Sequence, residues 1–100
     1  RSQDMLAASN WNVVQYSILL MMFARAAGLE AGELVHVVAD AHIYDRHVPI
    51  VEKILKNPQY PAPRLIADES VTDFYRFTKD SFRLENYRYT DLDVKIPVAI

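Results

Sequence analysis

Apolar residues follow three different rhythms along this chain. From Trp11 to Ala24 they fall on nearly every side of a helical turn: Trp11, Val13, Val14, Tyr16, then Ile18 to Phe23 and Ala24. A helix that is hydrophobic all round is normally covered on most sides. Ser9 or Asn10 supplies an N-cap and Gly28 a stop after Ala27, so the pattern predicts one long helix between them. In so short a chain this helix lacks covering layers, which predicts missing chain, a dimer, or both. Glu33 to Tyr44 is rich in Val, Leu and Ile with His36 and His42 interleaved, and it predicts a long strand. Val48, Val51, Ile54 and Leu55 return to helical spacing on a shared face, with Pro49 tolerated in the first turn and Asn57-Pro58 as the stop.

Beyond Pro61-Ala62-Pro63 the elements shorten. Arg64 to Ala67 predicts an extended piece. Ser70-Val71-Thr72-Asp73 resembles a capping box with Asp in place of Glu, opening a short helix through Phe77. Phe82, Leu84, Tyr87 and Tyr89 predict a last strand, with Arg83, Glu85 and Arg88 facing water. Neither repeat nor linker divides the chain. The expected fold class is α+β: a long buried helix and shorter helices packed on a mixed or antiparallel sheet.

Composition narrows the function classes. One hundred residues, 51% hydrophobic with two glycines, argue for one small folded domain rather than a disordered chain. A formal charge of −2 argues against a general nucleic-acid or anionic-membrane surface. The run from Ile18 to Ala24 is far shorter than the about 20 apolar residues of a membrane span. Zero cysteines exclude disulfides and thiolate metal sites within the chain and fit a reducing compartment. A cytoplasmic location is expected.

Candidate chemistry sits in four places. Arg1 and Ser2 are adjacent donors suited to a phosphate or carboxylate, and Asp4 projects on the same side as Ser2 if the backbone is extended. His42 and Tyr44 stand two apart on the predicted strand, so both rings face one way and can share one ligand hydroxyl. Taken singly, these pairs also read as a surface strand end and as half-buried sheet residues. Asn12 comes one turn into the apolar helix, with Gln15 on the same face. Its carboxamide can be met by local backbone, or by a heterocycle that offers an N–H beside a C=O, such as uracil. Asp40, His42, Asp45 and His47 lack tight metal-ligand spacing, and no metal is expected. A triad of Ser2, His42 and Asp40 lacks the G-x-S-x-G elbow.

In their order and spacing, Arg1-Ser2-x-Asp4, Asn12 leading an apolar helix, Asp40-x-His42-x-Tyr44 and Pro97-Val98-Ala99-Ile100 resemble the C-terminal part of the thymidylate synthases over the whole chain. The resemblance implies a parent enzyme, a homodimer packing sheet against sheet. It transfers a one-carbon unit from 5,10-methylenetetrahydrofolate to dUMP and reduces it to the methyl group of dTMP. Arg1 and Ser2 would then hold the nucleotide phosphate, Asn12 the uracil edge, and His42 and Tyr44 the ribose 3′-hydroxyl. Asp4 would bind the pterin of the folate. The C-terminal residues, Ala99 and Ile100 among them, would close over the site and exclude water. Partners would be dUMP and the folate, with neither nucleic acid nor membrane.

The chain departs from the family in several positions. Leu6-Ala7-Ala8-Ser9-Asn10-Trp11-Asn12 stands where Leu-Gly-Leu-Pro-Phe-Asn is usual, Val38-Ala39 where Gly-Gly is, and Gln15 where Ser is common. The nucleophilic Cys of the family's Pro-Cys-His lies about twenty residues upstream of Arg1 by the motif spacing the resemblance implies. The chain thus carries no catalytic residue of its own. It is expected to be a C-terminal portion, residues 1–100 of a larger thymidylate synthase-like domain, inactive alone. Two alternatives remain at this level: a dCMP or dUMP hydroxymethylase-type relative, which for dCMP carries Asp at the Asn12 position, and a non-enzymatic, self-associating structural domain.

Overall fold

Helix α1 runs over Ser9–Ala26, and both of its ends are fixed by backbone chemistry. The computed structural model describes residues 2–98. Ala8, rather than Ser9 or Asn10, occupies the N-cap and makes no side-chain cap. The preceding turn explains this. Asp4 Oδ1 accepts the N–H groups of Leu6 at 2.9 Å and Ala7 at 3.0 Å, and Ala8 donates to the Asp4 carbonyl at 3.1 Å. The chain therefore enters the helix from an already hydrogen-bonded turn. At the other end Gly28 sits at φ +69°, Leu29 donates to the Ala24 carbonyl at 2.8 Å and Gly28 to that of Arg25 at 3.1 Å. These paired bonds form a Schellman stop, and the positive φ is why Gly stands there.

The helix has the predicted length but not the predicted burial. None of its residues is buried within this chain, and Trp11 is 79% exposed. The apolar faces exist, but the described residues do not supply the layers that would cover them.

Strand β1, Ser2–Asp4, pairs in parallel with β2, Asp40–His42, in the register Ser2↔Asp40, Gln3↔Ala41 and Asp4↔His42. The long strand predicted over Glu33–Tyr44 is thus reduced to three residues. Val35 and Val37 are 78% and 84% exposed while His36 and Val38 are half-buried, so the alternation of a strand persists upstream of β2. Ladder assignment needs a neighbour, and β1 offers only three residues to pair with.

A 3-10 turn over Asp45–His47 leads directly into helix α2, Val48–Leu55, with Pro49 in its first turn. Val51 and Ile54 are half-buried while Val48 and Leu55 are exposed, so only the middle of the predicted apolar face is covered. Strand β3, Arg64–Ala67, matches the predicted extended piece and pairs antiparallel with β4, Phe82–Glu85. Asn86, at φ +58°, ends β4 before Tyr87 and Tyr89, whose rings stack with centroids 5.4 Å apart. The short helix predicted through Phe77 is a 3-10 turn over Phe74–Arg76, capped by Asp73 Oδ1 accepting from Tyr75 N–H at 2.9 Å. The reciprocal capping box lies one turn later, between Thr78 and Ser81. Phe23 stacks on Phe74 with centroids 4.7 Å apart, tying the end of α1 to this turn.

The chain exposes 8397 Å², against about 5,800 Å² expected for a folded monomer of its 11.5 kDa. Its radius of gyration is 16.4 Å, against about 13 Å for a compact domain of this length. Among the described residues only Gln3, His47, Ala67 and Ser81 are buried. Such a body needs further chain or a partner to complete its core.

Candidate functional site

The parallel pairing of β1 with β2 assembles the site. Ser2 and Asp4 lie on one side of β1 and Gln3 on the other, as the exposed–buried–intermediate sequence of burial shows. The register sets Asp4 beside His42 and Ser2 beside Asp40. Segments forty residues apart in sequence thereby become neighbours.

Ser2 and Asn12 open into one cleft of about 410 Å³, shared with Gln3, Tyr16 and His36. Its lining is mostly polar, and two of its side-chain nitrogens, Gln3 Nε2 and His36 Nδ1, are buried without a hydrogen-bond partner. Tyr16 meets the His36 ring edge-on at 6.3 Å between centroids. Gln15, expected on the same face as Asn12, instead lines an apolar groove with Trp11, Val14, Ile18, Leu19 and Met22. The two amides therefore serve different surfaces. A cleft of about 430 Å³ between Ile66–Glu69 and Asp80–Arg83 contains none of the candidate residues.

His42 and Tyr44 meet as expected, with ring centroids 5.1 Å apart and planes at 82°. His42 Nδ1 lies 3.3 Å from the Asp40 carbonyl and 3.6 Å from its carboxylate. The Asp40 carbonyl only accepts, so that contact favours a proton on Nδ1.

Asp4 divides its two oxygens. Oδ1 is taken by the Leu6 and Ala7 N–H groups, while Oδ2 accepts no hydrogen bond among the described residues and lies 3.9 Å from His47 Nδ1. The Ala7 N–H chiefly holds this carboxyl below its usual range; burial, the next effect in size, opposes it, and the Leu6 N–H and the nearby imidazoles of His47 and His42 add to the lowering. Asp4 is thus an anion with one oxygen open to an N–H donor.

Sequence reasoning treated His47 only as a weak metal candidate and His36 only as a strand residue. Among the described residues no three His, Asp or Glu side chains gather with metal-binding geometry. His47 instead turns inward, at 1% exposure, against Asp4, Tyr44 and the Pro97 carbonyl. Gln3 was also missed, although strict alternation with Ser2 and Asp4 marks it as the inward residue of β1. Arg1, Ala99 and Ile100 lie outside the described residues. Among the described residues no helix is long and apolar enough to cross a membrane.

Comparison with known proteins gives a consistent answer. The family profile described as thymidylate synthase matches residues 1–100. The chain is 40% identical over 91 residues to a thymidylate synthase of Bacillus phage phi3T, covering 91% of this chain and 33% of that protein. It is 39% identical over 99 residues to thymidylate synthase 1 of Bacillus amyloliquefaciens, covering 98% of this chain and 43% of that one. Its fold superposes on the thermostable thymidylate synthase A from Bacillus subtilis with a TM-score of 0.94 at 38% identity, covering 100% of this chain and 36% of that one. The chain spans between a third and somewhat over two-fifths of the length of these relatives.

Proposed function

The chain belongs to the thymidylate synthase family, and on that premise we propose that residues 1–100 are the C-terminal portion of an enzyme that methylates dUMP to dTMP. This portion carries much of the nucleotide- and folate-contacting surface. The observation that bears most weight is the β1–β2 register, which sets the Ser2-to-Asp4 and Asp40-to-Tyr44 motifs side by side. It is supported by Asn12 and Ser2 sharing one polar cleft.

Each residue has a definable task. The Arg1 guanidinium and the Ser2 hydroxyl donate to the 5′-phosphate, a geometry suited to a doubly charged anion. The Asn12 carboxamide accepts from uracil N3–H and donates to O4. Cytosine reverses both demands, so an amide held in one orientation selects uracil. His42 and Tyr44 converge on the ribose 3′-hydroxyl. Asp4 Oδ2 accepts an N–H of the pterin, for which its free oxygen and depressed pKa suit it.

The folate supplies the one-carbon unit and the hydride. The C-terminal residues through Ala99 and Ile100 close over both ligands and exclude water. Attack on the pyrimidine needs a thiolate, and the chain has no cysteine. Turnover therefore requires the remainder of the enzyme, which we take to be a cytoplasmic homodimer. The open apolar groove beside Trp11 and the large exposed area fit that requirement.

Asn12→Asp in the intact enzyme tests the reading. It is expected to shift preference from dUMP toward dCMP by at least about tenfold in relative kcat/KM. An unchanged preference removes the uracil-edge role, and failure of dUMP to bind the wild-type enzyme removes the whole assignment.

A further inference from the structure

His47 is the most deeply buried of the described side chains, in a chain that buries almost nothing else. We propose that it is a positioning residue, joining the C-terminal segment to the Asp4 carboxylate so that the folate meets both in one geometry. The proposal rests on the functional reading above and adds a residue to it.

The bonding pattern around the imidazole places one of its protons. Nε2 lies 2.9 Å from the Pro97 carbonyl oxygen, and a carbonyl only accepts, so the proton is on Nε2. Nδ1 is the other ring nitrogen. It is buried without a partner and faces Asp4 Oδ2 across 3.9 Å, beyond hydrogen-bond reach. Neither atom has a hydrogen-bond partner among the described residues, so Oδ2 stays open to a ligand donor. A ligand N–H can bond to Oδ2 beside the buried imidazole, and the pterin is a ligand rich in N–H donors. Tyr44 holds the ring from the side, edge-on with centroids 5.5 Å apart.

The segment that His47 grips has little else to hold it. Residues 86–98 belong to no helix or strand. Its carbonyls are taken instead by donors from one short stretch: Arg46 Nη1 to Val98 at 2.9 Å, His47 to Pro97, and Lys53 Nζ to Leu92 at 2.9 Å. Arg46 and Lys53 are exposed and reach the segment through long flexible stems, whereas His47 is enclosed and rigid. Of the three, only His47 also faces a proposed folate ligand.

The test uses the intact enzyme with His47→Ala, His47→Gln and His47→Asn. Glutamine places an amide N–H near the position of Nε2, and asparagine places its amide near Nδ1. Two readouts are taken: steady-state kinetics with dUMP and methylenetetrahydrofolate, and the rate of tryptic cleavage after Lys95 without ligand, with cleavage after Arg76 as the control for unfolding. His47→Ala is expected to raise the folate KM about tenfold, leave dUMP affinity within about twofold, and speed cleavage after Lys95 selectively. His47→Gln is expected to restore both readouts, and His47→Asn to restore neither. The proposal is overturned if His47→Ala leaves the Lys95 cleavage rate or the folate KM unchanged. It is equally overturned if dUMP affinity falls in step with the folate, or if asparagine rescues as well as glutamine. A wild-type enzyme that binds no dUMP would remove the functional reading, while the cleavage rates would still decide whether His47 pins the segment.

Discussion

Asp4 shows how one side chain can close a local turn and still keep an oxygen open. Its Oδ1 closes the turn into α1 and its Oδ2 is left for chemistry. Because its folded pKa lies below the ordinary carboxylate value, its contribution to stability is complete above that ordinary value and lost as pH falls through the lowered one. Asp4→Asn should flatten the acid limb of a urea-midpoint against pH profile. Asp4→Ala, which removes the acceptor for two backbone N–H groups, should cost about 1–2 kcal/mol at neutral pH in the same assay. Gly28 offers a cleaner case. No atom lies within 4 Å of an added Cβ there, so Gly28→Ala meets only the strain of φ +69°. A loss of about 1 kcal/mol by denaturant titration is expected.

Among the elements, the join between α1 and the turn over Phe74–Arg76 rests on one aromatic stack, Phe23 on Phe74. Phe23→Ala should loosen that turn while leaving α1 itself helical, because the helix ends in its own Schellman bonds. Hydrogen exchange should rise at residues 71–77 more than at residues 12–24, and an equal rise in both would contradict this account. The β1–β2 pair is more exposed to change. Three residues on each strand carry the register that aligns Asp4 with His42. A one-residue slip there would turn Gln3 outward and Ser2 and Asp4 inward.

Over the whole molecule, exposed area is the governing fact. A chain with 8397 Å² accessible and four buried residues among those described cannot hold a core of ordinary size. Stability of this portion should therefore depend on mass action. Complemented with the upstream part of the enzyme, its melting temperature should rise, and rise again with dUMP. A melting temperature indifferent to both additions would mean that the apolar groove of Trp11, Val14, Ile18, Leu19 and Met22 is not an interface.

Much of this was written locally. Gly28 set the end of α1, Pro49 the start of α2, and the Pro61-Ala62-Pro63 break the strand that follows, because φ limits and missing donors act on neighbouring residues alone. That Ser2 and Asp4 share one side of β1 was legible for the same reason, through the strand period. The partners were not. The reduction of β2 to three residues, the parting of Asn12 from Gln15, and the turn of His47 onto Asp4 and Pro97 all depend on chain remote in sequence. Hydrogen bonds and burial are completed across space, and only the tertiary structure says which distant group completes them.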